Sequence, residues 1–164
     1  MSAAERAFEE YVGARRAALV RTAYLLTGNA EDAEDLVQTA LIKAVPQWGR
    51  IADNPEPYVR SILARESVNR WRRRRWREVG TDALPERAAD APDLAGRLAL
   101  RAALGELAPR QRAVVVLRYY EDMTEQQTAD ALGISLGTVK SQCRDALARL
   151  RTGQLVEAHR EPTH

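Results

Sequence analysis

The segment from Thr124 to Arg151 constrains the fold more than any other, because its capping residues mark out two short helices around a glycine turn. Thr124 is placed to cap the first helix, and Gln127, three residues on, closes a capping box. Ala129 and Leu132 supply that helix's apolar face, and Gly133 can take the left-handed conformation that ends it. Ser135 then caps a second helix, in which Leu136, Val139, Cys143, Ala146, Leu147 and Leu150 fall on one stripe. The opposite face carries Thr138, Lys140, Ser141, Arg144, Asp145 and Arg149. This is the pattern of a helix-turn-helix, whose second helix offers polar side chains to base edges while its cations meet phosphates.

Elsewhere Ala, Leu, Arg and Glu dominate and no run alternates as a strand does, which predicts an all-α chain. At 164 residues it holds one domain or two small ones, each with a modest core. A first helix is expected from about Ala4 to Leu26, with Phe8, Tyr11, Val12, Leu19, Ala23 and Leu26 inward. Asn29 caps a second helix, whose acidic first turns (Glu31, Asp32, Glu34, Asp35) suit the helix dipole. Its core face is Ala33, Leu36, Val37, Ala40, Leu41 and Ala44, and Pro46 stops it. After a loop from Gln47 to Asp53, Asn54 and Pro55 open a third helix that continues through Arg77. Residues 79–96 turn to Gly, Pro, Ala and acids, the composition of a flexible linker. Beyond it, Leu98, Ala102 and Leu104 face inward on a short helix. Pro109 starts another, carrying Val114, Val115, Leu117 and Tyr120. The chain thus divides into a domain at 1–78, a linker at 79–96, a second domain at 97–151 and a polar tail at 152–164.

The formal charge of +2 hides a segregation. From Tyr58 to Glu78 there are eight arginines against two glutamates, while Val79 to Gly96 carries four acids against one arginine. Six arginines and two tryptophans fill Arg70 to Arg77 at the end of the third helix. Guanidinium groups pair with phosphate, and interleaved tryptophans give bases a face to stack on, a combination suited to single-stranded nucleic acid. Trp48 and Tyr58, which flank the preceding loop, are either core aromatics or stacking platforms. A single cysteine, Cys143, excludes an intrachain disulfide, and with two histidines in the tail it makes no standard zinc site. No cofactor is expected. No apolar run reaches membrane-spanning length and no signal peptide opens the chain, so a cytoplasmic setting without membrane insertion is expected.

Five segments resemble the extracytoplasmic-function (ECF) group of the sigma-70 family, and within it the subgroup usually called SigE-like. They are Leu25–Leu41 (LLTGNAEDAEDLVQTAL), Asp53–Arg60 (DNPEPYVR), Trp71–Arg77 (WRRRRWR), Pro109–Glu121 (PRQRAVVVLRYYE) and Leu132–Ser141 (LGISLGTVKS). The resemblance implies two helical domains, sigma regions 2 and 4, joined by a linker. It implies a factor that binds core RNA polymerase and recognises the −35 and −10 promoter elements to direct melting and initiation. Asp32, Asp35, Leu36, Val37 and Gln38 would grip the clamp coiled coil of the polymerase β′ subunit, with the β subunit a further contact. Trp48, Tyr58, Glu66, Asn69, Arg72 and Arg73 would hold −10 DNA, a flipped base among it. Thr124, Gly137, Thr138, Lys140, Ser141, Arg144, Asp145 and Arg149 would serve the −35 element. Control would come from outside the chain, through an anti-sigma factor or through regulated synthesis. The chain departs from the family's habit at Glu66 (often asparagine), Asp145 (frequently basic), Gln142-Cys143 (more usually Arg-Leu) and Val45 (commonly tryptophan). An acid at Glu66 would accept from a cytosine amino group or pair with Arg70 one turn on.

Two rivals compete. A stand-alone helix-turn-helix regulator would bind palindromic duplex DNA as a dimer, but an acidic second helix and a basic-aromatic third helix fit it poorly. A nucleic-acid enzyme would need a metal cluster, a phosphate-cradling glycine loop or a nucleophile with its base, and the chain offers none of these patterns. No catalytic residue is assigned.

Overall fold

The computed structural model of the chain describes residues 1–71 and 94–160. Arg72, Arg73 and the basic run to Arg77 lie outside the described residues, as do the proposed linker up to 93 and the last four positions of the tail.

Among the described residues the regular structure is entirely helical. α1 spans Ala3–Thr27, opened by a capping box in which Ser2 accepts from the Glu5 amide and Glu5 answers the Ser2 amide. Gly28, at φ 84°, closes it in the left-handed region. Asn29 then caps α2 (Ala30–Ala44) by accepting from the Asp32 amide at 2.7 Å. The predicted loop after Pro46 is instead a 3₁₀ turn, Val45–Gln47, and one helical turn, α3 (Trp48–Ile51). Pro46 fits the first turn of the 3₁₀ segment, where a missing N–H costs nothing. α4 runs Glu56–Trp71 in the described part. α1, α2 and α4 pack together around Leu19, Ala23, Leu26, Leu36, Val37, Leu41, Val59 and Leu63.

α5 (Leu94–Gly105) begins inside the stretch expected to be linker. Leu98 and Ala102 are exposed on it rather than inward, and only Leu104 of the predicted trio is buried. α6 (Pro109–Val115) passes into a π turn, Val116–Tyr120, at whose end Tyr119 and Tyr120 are exposed. α7 (Glu125–Leu132) and α8 (Leu136–Arg160) follow, and the backbone of α8 continues through residues expected to be tail.

The second half packs directly on the first. α7 and α6 both lie against α4, and the Leu104, Leu107, Val116 and Leu117 side chains join the core cluster of α1 and α2. Polar groups stitch the seam. Arg65 on α4 donates to the main-chain oxygens of Ala131 (2.6 Å) and Asp130 (3.2 Å) at the end of α7, where carbonyls lack helical partners. Glu121 pairs with Arg60 at 2.9 Å and accepts from the Thr22 hydroxyl.

Arg112, only 2 % exposed, lies at the centre of this packing. It donates to the oxygens of Leu104 (2.9 Å), Leu107 (3.0 Å) and Leu26 (3.3 Å), so its buried fork finds acceptors from both halves. Burial pushes its pKa down to about 10, which still leaves the guanidinium charged at neutral pH.

Candidate nucleic-acid and polymerase interface

The helix-turn-helix is built as its capping residues require. Thr124 Oγ1 accepts from the Gln127 amide at 3.0 Å and Gln127 Oε1 accepts from the Thr124 amide at 2.8 Å. Gly133 takes φ 66°, and the Ile134 amide reaches back to the Ala129 oxygen at 3.1 Å, closing α7. Ser135 Oγ accepts from the Thr138 amide at 3.0 Å to start α8. Val139, Cys143 and Ala146 are buried on the inner side of α8, while Leu136 is turned outward.

Gly137, Lys140, Arg144, Asp145 and Arg149 are exposed on the opposite side, with Thr138 and Ser141 half-buried among them. Seven of the eight residues expected at the −35 element are therefore gathered on one helical face. The eighth, Thr124, is exposed at the start of α7, with its hydroxyl engaged in the cap. Arg149 reaches Gln111 at 3.4 Å, and Arg144 lies 3.7 Å from the Asp145 carboxylate. Cys143 Sγ sits 3.4 Å from the Tyr119 hydroxyl, holding α8 to the π turn.

Region by region, the first half corrects several expectations. Leu36 and Val37 are fully buried in the α1–α2–α4 core, so neither side chain can touch a partner. They fall on the stripe with Ala33, Ala40, Leu41 and Ala44, one hundred degrees per residue placing all six inward. The outward face of α2 is instead Glu31, Asp35, Gln38 and Ile42, and Ile42 is 63 % exposed. Val45, just past the helix, is 53 % exposed. Sequence reasoning left Ile42 off this face, although it stands four positions beyond Gln38 and off the apolar stripe, and named Val45 only as a departure from the family's habit. Asp32 is tied into the α2 cap by the Asn29 amide group at 2.7 Å.

Trp48 resolves the other way from a stacking platform: it is a core aromatic. Its ring meets Phe8 edge-on at 5.2 Å and Tyr11 at 5.5 Å, buried beneath α1. Tyr58 is half-buried against the same core. Glu66 is ion-paired with Lys43 on α2, not with Arg70. Arg70 instead reaches across to Asp35 at 2.7 Å and to the Thr39 hydroxyl at 2.8 Å. Asn69 is exposed and lines, with Arg65, Val68, Arg110, Leu132 and Gly133, a cleft of about 290 Å³ between α4 and the helix-turn-helix. Arg72 and Arg73, expected beside it, are outside the described residues.

Among the described residues no cluster of His, Cys, Asp and Glu could hold a metal ion, and no helix is long and apolar enough to cross a membrane.

Residues 12–77 match Sigma-70 region 2 and residues 103–152 match Sigma-70, region 4. The RNA polymerase sigma-E factor of Streptomyces avermitilis is 45 % identical over 148 residues, covering 88 % of this chain and 83 % of the relative. The ECF RNA polymerase sigma factor SigL of Mycobacterium tuberculosis is 34 % identical over 144 residues, covering 82 % and 81 %. Among solved structures, the sigma factor RpoE of Bartonella quintana, in complex with the anti-sigma factor NepR, aligns with a TM-score of 0.68 at 26 % identity, covering 88 % of this chain and 94 % of that one. CnrH in complex with the cytosolic domain of CnrY aligns at 0.63 and 25 %, covering 94 % and 90 %. A match to region 2 as well as region 4 sets aside the stand-alone helix-turn-helix regulator. With region 2 matched on the first half, region 4 on the second, and relatives above 30 % identity covered to four fifths of their length, the chain belongs to the sigma-70 family of RNA polymerase sigma factors, in its ECF group.

Proposed function

We propose that residues 1–78 bind core polymerase and −10 DNA, that residues 97–151 read the −35 element, and that residues 79–96 connect them. The observation that carries the reading is the outward face of α8, where Lys140, Ser141, Arg144 and Asp145 are presented while Val139, Cys143 and Ala146 anchor the helix from behind. A recognition helix fixed in this way can enter a major groove and meet phosphates with its flanking cations. Gly137 adds no side chain near the helix start, which lets the backbone approach closely.

On the first half, Glu31, Asp35 and Gln38 with Ile42 and Val45 make an acidic face with an apolar end. A basic coiled coil such as the polymerase clamp suits that face, charge steering the approach and Ile42 supplying the dry contact. Asn69, Glu66 and Tyr58, with Arg72 and Arg73, would hold the displaced −10 strand. Unpairing costs a few kcal/mol by general estimates, and stacking and phosphate contacts offset it. The chain supplies no catalytic group in this scheme, RNA synthesis being the polymerase's own chemistry. It acts in the cytoplasm, and its relatives' complexes support an anti-sigma factor as its regulator.

The test is a pull-down with purified core RNA polymerase followed by run-off transcription from a pool of genomic promoters. Core binding with new start sites is the expected result. A chain that ignores core polymerase and selects palindromic duplexes would end the proposal.

A further inference from the structure

The recognition face of α8 carries one residue that general DNA affinity does not explain. Between Leu136 and Gly153 the helix holds Lys140, Arg144, Arg149 and Arg151, and a single acid, Asp145. Asp145 is 57 % exposed on the outward side. Any carboxylate on a surface that approaches phosphates is repelled by them, so an acid here opposes binding unless it finds a donor on the DNA.

Its surroundings leave its oxygens open to a donor. The i+4 cation, Arg149, is directed to Gln111 at 3.4 Å. Arg144 forms a loose, solvent-exposed ion pair with it at 3.7 Å, beyond hydrogen-bond distance, so the carboxylate keeps its accepting lone pairs. At 3.6 residues per turn, Gly137, Ser141 and Ala148 form a low ridge along the middle of the outward face. Lys140, Arg144 and Arg151 flank it on one side, and Thr138, Asp145 and Arg149 on the other. A ridge of small residues lets the helix sit deep, so the flanking side chains reach base edges.

An ionised carboxylate accepts hydrogen bonds and cannot donate them. In the major groove the donors are the amino groups of cytosine and adenine, and the acidic side chains pair with cytosine N4. We propose that Asp145 is a specificity-determining residue, selecting one cytosine in the −35 element through its N4 amino group. The inference rests on the −35 reading above and names a residue that makes the choice. Repulsion from phosphate makes Asp145 a filter: it weakens binding everywhere except where the amino donor is present.

The experiment uses the chain assembled with core polymerase on promoters randomised across the −35 element, with transcripts counted by sequencing. The wild type is expected to favour cytosine at one position by roughly tenfold, in line with a single base-edge hydrogen bond. Asp145→Ala should reduce that preference below about twofold at that position alone. Asp145→Asn keeps the shape, guards against misfolding, and should move the preference toward adenine, whose edge an amide matches. Loss of transcription spread evenly over the library, with every preference intact, overturns the assignment of Asp145. A wild-type holoenzyme that binds core yet shows no preference at any −35 position overturns the −35 reading itself, and the two failures are distinguishable.

Discussion

Arg65 on α4 donates through Nε to the main-chain oxygen of Ala131 at 2.6 Å, so a side chain of the first half caps the first helix of the DNA-binding motif. Gly133 suits its place because φ is 66°, and a Cβ there would also press on Arg65 Nη2 at 3.3 Å. Arg65 directs its guanidinium to the second half, while Asn69 stays exposed beside it in the cleft. Arg60 supports the same seam through Glu121. The double variant Arg60→Ala, Arg65→Ala should raise the radius of gyration in small-angle scattering while leaving helical content unchanged. An unaltered radius would show that apolar contacts alone hold the seam.

The buried Leu36 and the exposed Ile42 let folding and the proposed polymerase contact be tested apart. Leu36→Glu should destabilise the protein by at least the cost of emptying the site, about 2–5 kcal/mol, because it forces a charge into the core. Ile42→Asp should leave the denaturation midpoint within about 0.5 kcal/mol of wild type, as surface changes do, and weaken core-polymerase binding. Urea denaturation and a core-binding titration check both, and tight core binding by Ile42→Asp would move the contact elsewhere on the chain.

Trp48→Ala should cost about 3–5 kcal/mol, since it removes a large aromatic clasped by Phe8 and Tyr11. Thermal unfolding reads it directly. A loss confined to promoter melting, with stability intact, would restore Trp48 as a base-stacking residue.

Glu56 ties α4 to α1 and makes the protein sensitive to acid. Burial pushes its pKa up, but hydrogen bonds from Arg15 and Tyr11 and the charges of Arg15 and Arg60 outweigh that and hold it below the ordinary 4.5. Arg15 Nε lies 2.7 Å and the Tyr11 hydroxyl 2.9 Å from Glu56 Oε1. A carboxylate with a depressed folded pKa contributes stability that is fully present above its unfolded value and is lost as pH falls through its folded value. Glu56→Gln should therefore be less stable than wild type at neutral pH, with the gap narrowing below about pH 4.5. Parallel denaturant titrations across that range decide it, and a gap independent of pH would mean that shape, not charge, is what Glu56 provides.

Lys140→Ala should weaken duplex binding across all sequences alike and make the log–log salt dependence shallower by about one unit, as expected when one phosphate contact is lost. Fluorescence anisotropy over a salt series gives the slope, and an unchanged slope would take Lys140 off the backbone.

The all-α architecture, the α1 and α2 boundaries and the caps of the helix-turn-helix were legible in the sequence because each is marked locally, by a cap, a glycine or an apolar stripe, although Leu136, counted on that stripe, is exposed at the helix start. Leu36 and Val37 show where such reading ends. Their place on the α2 stripe already pointed inward, and the family resemblance drew them outward; packing follows the stripe. Trp48 could not be placed from sequence, since a tryptophan after a proline turn serves equally well in a core or on a surface. The π turn left no local mark, so Val116–Tyr120 read as a continuation of the ordinary helix that Pro109 starts. The Lys43–Glu66 and Asp35–Arg70 pairs join different helices, and only the tertiary fold brings them together.

Arg112 holds two oxygens of its own half, Leu104 and Leu107, more closely than it holds Leu26 across the seam. The Leu26 oxygen lies at the end of α1, where carbonyls have no helical donor, so Arg112 satisfies it. Carbonyl dipoles solvate the charge where water cannot reach it, and the apolar side chains of Leu104 and Leu107 join the core of the first half around it. One buried cation thus serves two places at once, closing the link between α5 and α6 and fastening it to α1.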